Sequence, residues 1–364
     1  MQAKGNLKLN KTSEIWQKLL DIQERAIPKL NGLFPTSRWH PWAYKREDKS
    51  AYFTASILQG LMGLENVLHQ DEIEKLEQLR VNACKGLAPF RNSHGLDRYN
   101  FWGTKPAGHF PNGYILRHFL NLRPPDDSDD SVMVYLMQRR SREEALWLKN
   151  HIDENANGNR KWVSNAPDEY RELRTWCTFF SLNMPLGFDA CVIINILYFN
   201  RFYGFEVNFR EQESLKFLSI MLRNKDHIRR AGEIAPYYPE TSTILFHLAR
   251  LLGTFQIEEL EPRRRQVERD IENLLLSPLR KTERTMLEVA WLRLTGSRPP
   301  GFTGTDKKEA FAFFVLPFTQ EYEGGFLRWL AKKRITHIRF GCESHELSLE
   351  LEKEVLMRQI GLGG

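Results

Sequence analysis

"FDACVIINILYFNRFYG", residues 188–204, would be apolar almost all the way round as a helix, with Asp189, Asn195, Asn200 and Arg201 its only strongly polar side chains. "EPRRRQVERDIENLLL", residues 261–276, has the opposite character, a charged surface carrying one apolar stripe. A helix greasy on every face must be surrounded by other apolar elements, whereas a single stripe marks a helix lying between core and water. The contrast recurs along the chain. Residues 50–68, "SAYFTASILQGLMGLENVL", and 241–253, "TSTILFHLARLLG", are of the inner kind, and residues 343–359, "ESHELSLELEKEVLMRQ", are of the outer kind.

The periodicity predicts helices at 14–33, 50–68, 72–88, 129–153, 169–182, 188–203, 211–223, 241–252, 262–276, 282–295, 324–333 and 343–358, with Ser13 as the first N-cap. Alternating inner and outer helices suit two concentric rings, so the expected fold class is all-α: a single (α/α)6-type toroid of about six helical hairpins occupying residues 1–364. Two long connections interrupt the helices, at 89–125 and 296–323. Loops of that length in a compact domain commonly carry function.

Composition supports a sizeable core, since 41% of the 364 residues are hydrophobic and 12% aromatic. The net charge of +6 arises from 52 basic and 46 acidic residues that are intermixed along the chain. Short clusters such as Arg263-Arg264-Arg265 read as solvated helix faces, so no nucleic-acid partner is expected. Met1 to Trp16 contains no apolar signal core, and "CVIINILYF" and "AFAFFVLPF" are too short to span a bilayer. Four scattered cysteines, Cys84, Cys177, Cys191 and Cys342, form no CxxC pair. The expectation is a cytoplasmic protein, with peripheral membrane contact through residues 301–318, where a glycine-rich start and two lysines precede a greasy end containing Phe313 and Phe314.

Residues 123–137, "RPPDDSDDSVMVYLM", crowd four aspartates in front of an apolar helix. One or two acids there would be explained as caps that favour the helix N-terminus, but four like charges within one turn cannot all ionise cheaply. At least one carboxyl should be held neutral. A neutral acid in a dry, aromatic-lined pocket is what protonation of an alkene requires, because the double bond offers no lone pair to the proton.

Asp127-Ser128-Asp129-Asp130-Ser131 resembles the DxDD(T/S) signature of class II terpene cyclases, the group of squalene-hopene cyclase and the diterpene cyclases. "KSAYFTASILQGL" and the pattern Asp189, Val192, Asn195, Leu197 are similar to toroid helices of that family. The resemblance implies an α/α toroid, an isoprenoid substrate, cyclisation initiated by a proton from Asp129, and Asp127 and Asp130 as its orienting partners. Tyr99, Phe101, Trp102 and Tyr135 are the expected substrate-binding aromatics, with Phe110 and Tyr114 nearby, and Asn195 is the expected polar contact. The family's QW repeats are absent. It also places its cavity between two toroids, so here the cavity would be internal or completed by a second copy or partner toroid.

Other chemistries fit subsets of the same residues. Asp126, Asp127 and Asp130 satisfy the DDxxD pattern with which class I synthases hold Mg2+ and a diphosphate, although its companion motif is missing. Asp189, Cys191 and His345 resemble the zinc ligands of protein prenyltransferases, but two such residues on one helix arise readily by chance, and no resident cofactor is expected. Asp129 with Glu343 could form a glycosidase acid and base pair. A non-catalytic isoprenoid-binding protein is the remaining alternative.

Overall fold

The computed structural model describes residues 11–40, 42–109, 113, 115–119, 123–164, 166–180, 186–317, 329 and 333–361. The chain opens with α1 (Lys11–Leu30), the hairpin β1 (Thr36–His40) and β2 (Tyr44–Asp48), then α2 (Ala51–Met62) and α3 (Gln70–Lys85). After a long connection come α4 (Ser128–Gln138), α5 (Arg142–Glu154), the short α6 (Asp168–Arg171), α7 (Ala190–Phe202) and α8 (Phe209–Asn224). Two further short helices, α9 (Asp226–Arg229) and α10 (Ala231–Ile234), lead to α11 (Thr241–Thr254), α12 (Glu261–Leu275) and α13 (Lys281–Thr295). The described elements end with β3 (Phe314–Pro317), β4 (His337–Gly341) and α14 (Glu343–Gln359).

Burial follows the sequence contrast. Every residue of α2 from Ala51 to Leu61 is buried, as is every residue of α7 from Ala190 to Asn200. In α12 only Val267, Asp270, Ile271 and Leu275 are buried, a single stripe at helical spacing. Six helices close a ring, α2 on α4, α4 on α7, α7 on α11, α11 on α13, α13 on α14, and α14 back on α2; α14, expected as an outer helix, joins this ring although only part of its surface is buried. Outside this closed ring, α1 and α3 lie against α14 and α2, α5 against α4, α8 against α7, and α12 against α11 and α13.

The all-α toroid expectation is overturned by a four-stranded antiparallel sheet of order β2-β1-β4-β3, which makes the fold mixed. Arg38 of β1 pairs with Phe340 of β4, and Phe314 of β3 pairs with the same Phe340. These strands are four or five residues long and β1 meets β4 from the far end of the chain, so neither period nor proximity announces them. Two helix boundaries also differ. The expected helix 129–153 is broken at Arg139, whose φ of 54° ends α4 in the left-handed region before Ser141 caps α5. The expected helix 169–182 stops at Arg171, because the following segment runs extended and bridges Phe179 to Asp127. The expected helix 324–333 lies almost wholly outside the described residues, as do Phe110 and Tyr114.

Among the described residues no helix is long and apolar enough to cross a membrane. Phe313 and Phe314, expected on a lipid-facing flap, are buried against the ring.

Candidate functional site

The N-terminal ends of the ring helices gather on one side, around residues 235–239 and β3. Tyr52, the second residue of α2, packs its ring 6.1 Å from that of Tyr238 and 6.1 Å from Phe314. Tyr238 lies 5.2 Å from His247 on α11 and 5.8 Å from Phe313. Phe313 in turn contacts His345 near the start of α14, at 4.5 Å.

Asp129 projects from the first turn of α4 into this group and is buried. Its Oδ1 accepts from Asn195 Nδ2 at 2.6 Å and its Oδ2 accepts from the Tyr238 hydroxyl at 2.5 Å. The Asn195 carbonyl oxygen accepts from Arg250, which also donates to Gln59 Oε1 at 2.8 Å. Burial raises the Asp129 pKa, while the two donors and the Arg250 charge pull it back.

The other aspartates diverge. Asp127 is the N-cap of α4, accepting from the Asp129 backbone N–H at 2.7 Å. Asp130 is fully buried, and its Oδ1 has no hydrogen-bond partner among the described residues. Both are driven well above the ordinary carboxylate range, by burial first and then by the neighbouring acids. Asp126 turns away from this group and meets Asn92 Nδ2 at 2.5 Å and Arg98 at 3.0 Å. The DDxxD reading therefore loses its geometry, since Asp126 is engaged elsewhere while Asp130 is enclosed.

The expected aromatics are placed unevenly. Phe101 stacks on Phe314 with centroids 5.0 Å apart and so joins the group around Tyr238. Trp102 donates its indole N–H to Asp48 at 3.0 Å. The Tyr99 backbone pairs with Asp127 and Ser131, and its hydroxyl lies by Arg140. Tyr135, further along α4, donates to the Asp97 carbonyl at 2.9 Å. Asn195 contacts Asp129 itself, not open space.

Asp189, a ligand only in the zinc alternative, is a helix cap. Its Oδ1 accepts from the backbone N–H groups of Cys191 and Val192, and its Oδ2 from that of Tyr237. Burial nevertheless lifts its carboxyl to about 7. Burial also raises the Cys191 thiol and holds His345 neutral, its pKa pushed down to about 3. Among the described residues no three His, Cys, Asp or Glu side chains come together as a metal site. Glu343 is exposed at the start of α14 while Asp129 is enclosed, so the two share no cleft as a glycosidase pair would.

Sequence reading missed Tyr52, Tyr238, His247 and Arg250. Arg250 did leave a signal, a lone arginine inside the apolar run "ILFHLARLLG". No protein-family model, no curated protein and no solved structure matches the chain.

Proposed function

We propose that the protein cyclises an isoprenoid by protonating one of its double bonds, with Asp129 as the general acid. The observation that carries this reading is the setting of the Asp129 carboxyl. An acid able to protonate carbon must be neutral before the step and strongly stabilised as an anion after it. Burial favours the protonated form, and the Asn195 and Tyr238 donors stabilise the carboxylate left behind. Burial and the neighbouring Asp129 push the Asp127 and Asp130 carboxyls upward, which favours their protonated forms beside it. The Tyr52, Tyr238, Phe313 and Phe314 faces beside the acid suit a carbocation through cation–π attraction.

In this mechanism the Asp129 proton passes to one alkene carbon, and the other becomes cationic. A second double bond attacks that cation and closes a ring. Loss of a proton from an adjacent carbon then restores an alkene, so the product is an isomer of the substrate.

The test is incubation with linear C15 and C20 polyprenols and their diphosphates in D2O, followed by mass spectrometry. The expected product is cyclic, retains any diphosphate, and carries one solvent deuteron per protonation. Asp129→Asn should abolish it while leaving the circular dichroism spectrum unchanged. Release of diphosphate in a Mg2+-dependent reaction would replace this reading with class I ionisation. Retention of a polyprenol without turnover would indicate a binding protein.

A further inference from the structure

Arg250 reaches the Asp129 carboxyl through a single amide, that of Asn195. Arg250 is 3% exposed and lies in the middle of α11, facing the ring interior, with its guanidinium carbon 5.4 Å from the Tyr198 ring centroid. Its hydrogen-bond partners are two amide oxygens, Gln59 Oε1 on α2 and Asn195 Oδ1 on α7. A guanidinium only donates, so the Asn195 amide has one possible orientation, with its carbonyl toward Arg250 and its NH2 toward Asp129. Released from Arg250, the amide could turn over and present its oxygen to Asp129. That orientation would favour the protonated carboxyl and oppose its ionisation.

We propose that Arg250 is a positioning residue for Asp129: by fixing the Asn195 amide it keeps an N–H donor on the carboxyl and so sets the strength of this acid. The inference deepens the cyclase reading, and its consequence for turnover rests on that reading.

Among the described residues, the groups around Asp129 leave Arg250 as the source of positive charge. From α4 come the acids Asp127 and Asp130, from α7 Asp189 and the Cys191 thiol, and from α2 and residue 238 the Tyr52 and Tyr238 hydroxyls. From α11 and α14 come His247 and His345, both held neutral by burial. His247 donates its Nδ1 proton to the Thr243 carbonyl at 2.8 Å, which fixes the neutral tautomer.

The experiment reads Asp129 without substrate. Infrared spectra of the full chain, taken as a difference against Asp129→Asn, isolate its protonated carboxyl band across a pH series. In Arg250→Met the band should persist to higher pH than in the parent. Asn195→Ala should shift it in the same direction, and Arg250→Lys, which keeps charge and one donor, should shift it less than Arg250→Met. If Arg250→Met does not fold, Asn195→Ala and Arg250→Lys decide: an Asp129 titration equal to the parent's in Asn195→Ala, or a Lys shift as large as the Ala shift, overturns the proposal. A band that moves as expected in a protein that turns over no isoprenoid would retain the positioning role and reject the cyclase reading.

Discussion

Asp189 shows how one buried side chain can support a fold and still respond to pH. Its carboxylate joins the start of α7 to residue 237 through three backbone N–H groups. Burial outweighs those donors and lifts its pKa to about 7, above the unfolded value of about 3.9. The folded state thus holds the proton more tightly. The associated stabilisation is complete below about pH 4 and is lost as pH rises through about 7. Asp189→Asn keeps an acceptor and removes the titration, so its melting temperature should fall less steeply than the parent's between about pH 4 and 7. An unchanged slope would contradict the assignment. Legibility at this scale was selective. The acids before α4 stood out because they are contiguous, whereas Tyr238 and Arg250 join Asp129 from loops and helices more remote in sequence.

Among the elements, α11 and α13 come into close contact at Gly253, where a Cβ would stand 2.4 Å from the Arg293 carbonyl oxygen. Backbone cannot yield as the end of a flexible side chain can. Gly253→Ala should force the two helices apart and lower stability by about 1–3 kcal/mol, measured by urea unfolding, despite the better helix propensity of alanine. Which helices are enclosed was readable from their all-round apolarity, as α2 and α7 show. The sheet was not readable, because its strands are short and the β1–β4 pairing that unites them spans most of the chain. "AFAFFVLPF" gives a greasy run, and length alone does not separate a buried strand from a piece of helix there. Its Phe314 and Pro317 prove to be the ends of β3.

At the scale of the whole molecule, the ring closes through a buried charge cluster. Arg293 of α13 donates to Glu352 of α14 at 2.6 Å and to the Gly60 carbonyl of α2 at 2.8 Å. Both charged side chains are nearly inaccessible, at 7% and 4% exposure. Glu352→Gln would leave the Arg293 charge enclosed without its anion, at a cost of about 3–5 kcal/mol. Because the seam joins the first ring helix to the last, the loss should appear as a lower urea midpoint for the whole ring. Local fraying of α14 alone would argue against a shared seam.

The sheet has a consequence for biosynthesis. β1 emerges from the ribosome early, yet its partner β4 lies about 300 residues downstream, an interval of roughly 15 to 60 s at ordinary elongation rates. Throughout that interval the nascent hairpin offers β1 as an open edge, and backbone groups meant for β4 are available to any passing extended peptide. Arg38 and Trp39, which later pair with Phe340 and Arg339, lie on that open edge until β4 is made.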